Sequence, residues 1–345
     1  MPDRSVLTLG NFDGPHVGHL AILDHAKSLA GQHDARVTAI TFDPPPIKVL
    51  RPGQEPPTIT PLDQRVARLK AGGADEVIVL NPTPELLGQP AEEFIARLVE
   101  QHQPVAIVEG PDFRFGKGRG GDMDNLAELG RRHGFEAVTV PRVEAPLSDQ
   151  QLAPVSSSLV RWLVGRGRVA DAAVCLGRPF SLTAKVVKGE QRGRQLDIPT
   201  ANLDAETIAP FIVPADGVYA GLAEISDSVE DTAHQKSSVK NQKSFFPTAI
   251  SVGIKPTFGR TALTVEAHLL DYRPDVADEL YGQTLTLHFA RWVRDQYPFP
   301  GVGPLREQLF RDIEQTRQWH ASGVLEPELS ADHVQPSPVP RKAPA

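Results

Sequence analysis

Two histidines, His16 and His19, close a glycine-bearing segment that begins at Gly10, near the start of the chain. An apolar run at positions 6–9 precedes this segment, and apolar residues recur at helical spacing after it. A strand that turns through glycines into a helix presents unpaired N–H groups and the positive end of the helix dipole at one point, where an anion is stabilised. Because histidines three positions apart lie on one side of a helix start, both can donate to phosphate oxygens. The spacing predicts a phosphate site.

A bare His-x-x-His pair also fits a solvated surface or a metal pair. The glycines at positions 10, 14 and 18 favour the phosphate site, because they allow close backbone approach and positive φ, which a zinc site does not need. The segment matches neither Gly-x-Gly-x-x-Gly nor the Gly-Lys-Ser/Thr P-loop. The sequence therefore argues against a dinucleotide-dependent dehydrogenase and against a P-loop kinase.

Residues 10–19 resemble the entry loop of the nucleotidyltransferase module of bifunctional riboflavin kinase/FMN adenylyltransferases, the bacterial FAD synthetases. Further segments resemble motifs of that family in the same order, and they are residues 41–46, 110–116, 156–161, 193–202, 256–259 and 265–268. The resemblance extends over about residues 5 to 320, and chance agreement of so many ordered motifs is remote.

Length and composition set independent limits. A chain of 345 residues is long enough for two domains with their own cores. A formal net charge of −7 gives no broad attraction to nucleic acid or anionic lipid, so we expect neither as a partner. The single cysteine excludes an intrachain disulfide, residues 2–4 are polar rather than a secretion leader, and no apolar run approaches the roughly 20 residues of a membrane span. We expect a cytoplasmic protein whose partners are small molecules.

The hydrophobic pattern changes once along the chain. Residues 1–176 alternate short apolar runs with helical patterns, which predicts an α/β domain with a parallel sheet, and the resemblance makes it a Rossmann-like FMN adenylyltransferase domain. Residues 177–325 follow period two, which predicts a mainly β domain, and the resemblance implies a small Greek-key barrel with a C-terminal helix, the riboflavin kinase domain. The polar insertion 226–244 and the proline-rich tail 326–345 are predicted to be unstructured.

The resemblance assigns the first domain to adenylyl transfer from ATP. It implies that His16, His19 and Arg161 stabilise the phosphates. The other nucleotide-binding candidates are Gly10, Asn11, Phe12, Asp13, Gly14, Gly18, Ser156, Ser157 and Ser158. A Ser-Ser-Ser-x-x-Arg segment also fits a helix N-cap with a surface arginine.

The segment 112–115 is the flavin-binding candidate. Asp112, Phe113, Arg114 and Phe115 follow a predicted strand, where aromatic and polar contacts would hold a flavin ring. A pair of core phenylalanines with a salt-bridged arginine is the alternative.

The second domain carries a candidate base and metal ligands. Glu266 shares one strand face with Thr264 and His268, away from the apolar face, and the resemblance makes Glu266 the base that accepts the proton of the riboflavin hydroxyl. Thr200 and Asn202 would offer neutral oxygens to Mg²⁺ carried by ATP. Gly189, Gly193 and Arg194 would form the loop over the phosphates. A solvated strand glutamate is the alternative for Glu266.

The sequence departs from the family pattern in four places. Pro45 replaces histidine, Ser158 replaces threonine, Asp197 replaces glycine, and Asp295-Gln296 follows Arg294 where an acidic pair is more typical. The resemblance predicts an enzyme that phosphorylates riboflavin to FMN and converts FMN to FAD, with Mg²⁺ and ATP at each step. The alternatives are a single active module, for which Pro45 favours the kinase, and a non-catalytic flavin-binding or regulatory protein built on the same modules.

Overall fold

The computed structural model describes residues 4–189, 193, 196–226, 243–257, 260–272 and 280–325. Most of the insertion 226–244, the tail 326–345, Arg194 and positions 258–259 lie outside the described residues. The described chain divides into two compact units, the second beginning at Ser158. The border between the two functional domains at 176/177 stays a prediction.

The first unit is a parallel α/β structure. Its elements are β1 (Ser5–Leu9), α1 (Val17–His33), β2 (Arg36–Phe42), α2 (Pro46–Leu50), α3 (Leu62–Ala71), β3 (Glu76–Leu80), α4 (Pro84–Leu87), α5 (Ala91–His102), β4 (Pro104–Glu109), α6 (Met123–His133), β5 (Glu136–Thr139), β6 (Glu144–Pro146) and β7 (Leu152–Pro154). Five parallel strands form one sheet in the order β3-β2-β1-β4-β5, and β6 and β7 form a separate antiparallel pair. The predicted parallel sheet with helices is confirmed.

Alternate residues of β1 enter two cores on opposite sides of the sheet. Val6 packs with Leu23 and Ala26 of α1, whereas Leu7 packs with Ile95 of α5. The chain leaves β1 for β2 on one side and later returns to place β4 on the other, so strand order reverses beside β1. Ligands bind in the crevice that such a reversal opens at the carboxyl ends of the strands.

The second unit is built around a closed barrel. The elements from its start onward are α7 (Ser157–Gly165), α8 (Val169–Leu176), β8 (Phe180–Val187), β9 (Ala201–Leu203), α9 (Ala205–Ile208), β10 (Gly217–Ser226), β11 (Lys243–Thr257), β12 (Arg260–Leu269), β13 (Thr284–Arg294) and α10 (Val302–Ala321). The strands close in the order β10-β11-β12-β9-β8-β13, with antiparallel neighbours. The predicted barrel with a C-terminal helix is confirmed.

Alternate side chains of the barrel strands point into the barrel and are buried there. Along β8 every second residue is buried, from Phe180 onward. The ring of Tyr219 meets the ring of Phe289 edge on, with centroids 5.4 Å apart, and both side chains are fully buried. Polar side chains on the intervening positions are thereby left to face outward, where sites can form.

Candidate active sites

The two histidines of the first loop form a reciprocal cap at the start of α1. The N–H of His19 donates to Nδ1 of His16 at 3.3 Å, and the N–H of His16 donates to Nδ1 of His19 at 3.4 Å. Their rings stack with centroids 3.6 Å apart. Because each Nδ1 accepts a hydrogen bond, each ring carries its proton on Nε2, on the side away from the cap.

Burial and the neighbouring His16 lower the pKa of His19 well below its usual value. The imidazole of His19 is therefore neutral at pH 7 and acts as a hydrogen-bond donor rather than a cation. His16 itself is 6% exposed.

The loop before the histidines is held in an unusual backbone conformation. Phe12 and Gly14 have positive φ angles of 45° and 59°. A Cβ at Gly14 would lie 2.6 Å from Cγ2 of Ile59, so only glycine fits. The carboxylate of Asp13 accepts from the N–H of Ile59 at 2.9 Å and from the N–H of Thr60 at 3.2 Å. These contacts fix the predicted loop residues from 10 to 14 in one shape.

Ser156 and Ser157 lie at the junction of β7 and α7. The hydroxyl of Ser157 donates to the backbone oxygen of Asp13 at 2.7 Å, which ties this junction to the first loop. Ser158 and Arg161 lie in the first turns of α7, in the second unit. Their roles at the nucleotide stay predictions.

A pocket of about 640 Å³ lies beside the two imidazoles, at the carboxyl ends of β1 and β4. We call it the imidazole pocket, and it is lined by residues 9–12, 16, 18–19, 22, 109–113, 140–143 and 154–157. It contains the predicted residues Gly10, Asn11, Phe12, Gly18, Ser156 and Ser157. The crevice predicted from strand order is therefore a real cavity.

Glu109 is a buried carboxyl in this pocket that the sequence pattern did not single out. It is 4% exposed, and its Oε1 accepts from the N–H of Leu9 at 2.5 Å and from the hydroxyl of Thr8 at 3.3 Å. Burial raises the pKa of Glu109 well above its usual value, and the two hydrogen bonds counteract only part of this rise.

A second pocket, of about 600 Å³, adjoins the first. This phenylalanine pocket is lined by residues 9–11, 42, 46–47, 50–51, 86–87, 94, 112–116 and 118–119. It includes all four flavin candidates. Phe113 and Phe115 stack with centroids 5.3 Å apart, Phe115 belongs to the core of the first unit and Phe113 packs against it. The role of these rings in flavin binding stays a prediction.

Two arginines that the sequence did not reveal organise these loops. Arg142 forms a two-pronged ion pair with Asp112, with Nε 2.9 Å from Oδ2. Arg65, 4% exposed, donates to the backbone oxygens of Asn11 at 2.9 Å and of Phe42 at 3.1 Å. Arg65 thus ties the loop after β1 to the loop after β2.

The barrel brings the kinase candidates together. The hydroxyl of Thr200 donates to Oε2 of Glu266 at 3.3 Å, and Asn202 is the β9 partner of Glu266 on β12. A Cβ at Gly189 would lie 2.5 Å from the amide of Asn202, and one at Gly193 would lie 2.3 Å from the backbone oxygen of Ile198 and 3.4 Å from Oγ1 of Thr200. Glycine at both positions lets the backbone approach this cluster closely. Arg194 lies outside the described residues.

A pocket of about 520 Å³ extends from this cluster to the C-terminal helix. This barrel pocket is lined by residues 193, 196, 198, 200, 218, 249–251, 266, 268, 294, 296–297, 299, 301–302, 305, 309 and 312–313. His268 Nδ1 lies 2.8 Å from the backbone oxygen of Pro199, and burial lowers the pKa of this histidine. The sequence pattern did not reveal the wall that α10 and the residues before it provide, because that wall comes from distant parts of the chain.

One departure from the family pattern has a conformational explanation. Asp197 has a φ of 59°, in the left-handed region that favours glycine, and aspartate is one of the few other residues that visit it. Its carboxylate pairs with Arg306 of α10 at 2.9 Å. Pro45 forms the N-cap position of α2 without a side-chain hydrogen bond.

Comparisons with known proteins match both units. The family model described as FAD synthetase matches residues 1–158, and the one described as riboflavin kinase matches residues 176–320. The bifunctional riboflavin kinase/FMN adenylyltransferase of Escherichia coli (strain K12) is 29% identical over 91% of this chain and 92% of its own length. The protein of the same name from Bacillus subtilis (strain 168) is 28% identical over 92% of this chain and 93% of its own length.

A solved structure has the same fold along nearly the whole chain. It is described as a macrolide-efflux protein from Streptococcus pneumoniae, and it is 29% identical to this chain with a TM-score of 0.76. The match covers 92% of this chain and 95% of that chain. In the present structure, a search of the described helices finds none long and apolar enough to cross a membrane. With both modules matched in order and full-length relatives of one name, the chain belongs to the bifunctional riboflavin kinase/FMN adenylyltransferase family.

Proposed function

We propose that this protein makes FAD from riboflavin in two steps that each consume ATP. The barrel phosphorylates riboflavin to FMN, and the α/β unit transfers the adenylyl group of ATP to FMN with release of pyrophosphate. The observation that carries this proposal is the presence of two pockets with different chemistry: paired imidazole donors in one, and a carboxylate beside a Thr/Asn pair in the other.

The imidazole pocket suits adenylyl transfer because it offers donors and needs no base. The attacking phosphate oxygen of FMN is already ionised, so catalysis consists of positioning and charge stabilisation. The imidazoles of His16 and His19, with the N–H groups of the first turn of α1 that the reciprocal cap does not use, supply donors for the ATP phosphates. Ser156 lines the same pocket, Ser157 fixes the loop through Asp13, and Ser158 and Arg161 stay candidates that the resemblance supplies.

The phenylalanine pocket suits the isoalloxazine ring of FMN. It is largely apolar, with the stacked Phe113 and Phe115 on one side and Arg51 and Arg114 among its lining residues. Residues 9–11 and 112–113 line both pockets. An FMN bound in one pocket therefore has a direct route for its phosphate to the α-phosphate of an ATP bound in the other.

The barrel pocket suits phosphorylation of a hydroxyl. The 5′-hydroxyl of riboflavin is a poor nucleophile, and the carboxylate of Glu266 accepts its proton as the hydroxyl attacks the γ-phosphate. The apolar wall from α10 and the aromatic side chains of Tyr297 and Phe299 cover the flavin ring.

Thr200 and Asn202 fit a magnesium ion that arrives with ATP. Their oxygens are neutral, and the glycines opposite them leave the space that a side chain would fill. Within the described ranges no three His, Cys, Asp or Glu side chains cluster in a way that could hold a metal, so phosphates and water would supply the remaining ligands of the ion. When bound, Mg²⁺ neutralises charge on the transferred phosphate.

The decisive experiment follows FMN and FAD by chromatography after the purified protein receives riboflavin, Mg²⁺ and ATP. Glu266→Gln should stop FMN formation and leave conversion of added FMN to FAD intact. His16→Asn keeps a good N-cap but is too short to reach a phosphate, so it should impair only the second step. His25→Ala, on the exposed side of α1, and Glu206→Gln, on α9, are matched controls. Accumulation of FMN without FAD in the unaltered protein would leave the kinase alone, and flavin binding without ATP turnover would leave a carrier.

We further place the protein in the cytoplasm with small molecules as its partners. The single cysteine in 345 residues supports a reducing compartment. Riboflavin, FMN and ATP account for the three pockets described above.

A further inference from the structure

Glu109 presents one free carboxyl oxygen to the imidazole pocket. It is the last residue of β4, and both hydrogen bonds from β1 go to Oε1. In the part of the chain that the structure describes, Oε2 has no hydrogen-bond partner, although the side chain lines the pocket. The two donors on β1 fix the plane of the carboxyl and therefore the direction of Oε2.

No neighbouring cation lowers the pKa of Glu109. His16 and His19 face the pocket from the start of α1, Asp112 from the loop after β4, and Arg142 from the segment after β5. His19 is neutral, and Arg142 is paired with Asp112. Burial favours the protonated form of Glu109, as the raised pKa indicates.

We propose that Glu109 is a specificity-determining residue of the imidazole pocket, whose neutral carboxyl keeps Oε1 on β1 and donates a hydrogen bond from Oε2 to an acceptor atom of bound ATP. This inference rests on the proposed function of that pocket. A neutral donor is what a pocket for two polyanionic substrates requires, since an ionised carboxylate in the same place repels both.

Glutamine reproduces the protonated form at every pH. The N–H of Leu9 and the hydroxyl of Thr8 need an acceptor, so the amide oxygen of Glu109→Gln takes the place of Oε1 and the amide nitrogen donates from the place of Oε2. Glu109→Val removes both functions. Glu109→Gln keeps a hydrogen-bond donor directed into the pocket, whereas Glu109→Val keeps only an apolar side chain, so comparing the two measures the effect of the hydrogen bond.

The experiment measures KM for ATP in FMN adenylylation from pH 6 to pH 9. At pH 6 we expect Glu109→Gln to stay within about twofold of the unaltered protein and Glu109→Val to raise KM about three- to tenfold, the value of one net hydrogen bond. Above the raised pKa of Glu109 the KM of the unaltered protein should rise as the carboxyl ionises, whereas the KM of Glu109→Gln should stay flat. Glu136→Gln, an exposed position on the neighbouring strand β5, is the matched control and should keep the unaltered profile.

Two results would overturn the inference. If Glu109→Gln weakens ATP binding as much as Glu109→Val, the carboxylate accepts rather than donates. If neither variant changes KM, Glu109 has a structural role only. Should Glu109→Val fail to fold, judged by its thermal unfolding, the KM of Glu109→Gln at pH 6 decides alone, and a rise beyond about twofold overturns the inference. His16→Asn tests the pocket itself: a normal KM in that variant refutes the proposed function, whereas a raised KM with normal Glu109 variants refutes only this inference.

Discussion

Replacing Asp312 by asparagine should destabilise the second unit through a single buried charge. Asp312 lies on α10 with a side chain that is 3% exposed, and Arg294 at the end of β13 is 15% exposed. Arg294 donates from Nε to both carboxylate oxygens at 3.0 Å and from Nη2 to Oδ2 at 2.8 Å. Asparagine keeps the shape of the side chain but leaves the guanidinium without a counter-charge.

The structure sets the size of the effect. Removing one partner of a buried ion pair costs about 3–5 kcal/mol. Arg294 keeps some access to water, and the rings of Tyr297 and Phe299 lie 5.5 and 5.6 Å from its guanidinium carbon and still attract the cation. We therefore expect a loss of about 2–4 kcal/mol. The exposed pair of Arg317 and Asp271, with side chains 47% and 73% exposed, provides the control, and Asp271→Asn should cost at most about 1 kcal/mol.

Intrinsic fluorescence isolates the unit under test. All three tryptophans (162, 292 and 319) and all four tyrosines (219, 272, 281 and 297) of the chain belong to the second unit. Urea unfolding followed by tryptophan emission therefore reports on that unit alone. Because α10 forms a wall of the barrel pocket, Asp312→Asn should also raise KM for riboflavin while FMN adenylylation stays normal.

Two outcomes would refute this reasoning. If Asp312→Asn loses no more stability than Asp271→Asn, water screens the buried pair as it screens a surface pair. The double variant Arg294→Met/Asp312→Leu should recover most of the loss, because apolar side chains of similar volume leave no charge behind. A double variant as unstable as the single one would mean that packing, not the unpaired charge, holds α10 in place.

Three further predictions concern the loops and the buried carboxyl. Gly14→Ala should cost about 2–4 kcal/mol of unfolding free energy in the first unit, because of its positive φ and the clash with Ile59. Gly53→Ala, with a φ of 78° and open space around it, should cost about 1 kcal/mol. Circular dichroism measures both losses, once tryptophan fluorescence has identified the unfolding transition of the second unit. Because the folded-state pKa of Glu109 is raised above the usual 4.5, folding stability falls as pH rises from 4.5 towards the folded pKa, so Glu109→Gln should match the unaltered protein in thermal unfolding at pH 4 and exceed it at pH 7.5. Asp197→Gly gives up an exposed ion pair but relieves a positive φ, and it should change the free energy of unfolding by less than about 1 kcal/mol and the kinase rate by less than about twofold.

Short-range patterns predicted the parts of the molecule that local chemistry determines. Glycines followed by apolar residues at helical spacing predicted the loop that contains His16 and His19. The two-residue alternation of β12 placed Glu266 on the polar face of this strand, and the structure has it beside Thr200. The reciprocal cap of His16 and His19 was not predicted, because histidine is not among the usual N-cap residues.

Long-range contacts set the limit of what the sequence could predict. Glu109 and Leu9 are 100 positions apart, and Arg65 and Asn11 are 54 apart, so no spacing rule connects them. One signal was present: Glu109 ends an otherwise apolar strand, and a carboxyl that a buried strand carries into a crevice is costly unless it is neutral or bonded. A carboxyl at the end of an apolar strand is therefore a site candidate that sequence reasoning can recognise.

The two reactions require opposite kinds of pocket, and this explains why one chain keeps them apart. Adenylyl transfer starts from an ionised phosphate, so a neutral His19 and the protonated Glu109 that we propose can donate to anions without any proton acceptor. Phosphorylation of riboflavin starts from a hydroxyl, for which we propose Glu266 as the proton acceptor, and the barrel places it beside the hydroxyl of Thr200 and opposite Asn202. One pocket therefore offers donors to groups that are already ionised, whereas the other offers a carboxyl oxygen to a hydroxyl. Separate cavities allow the two chemistries to coexist in one chain.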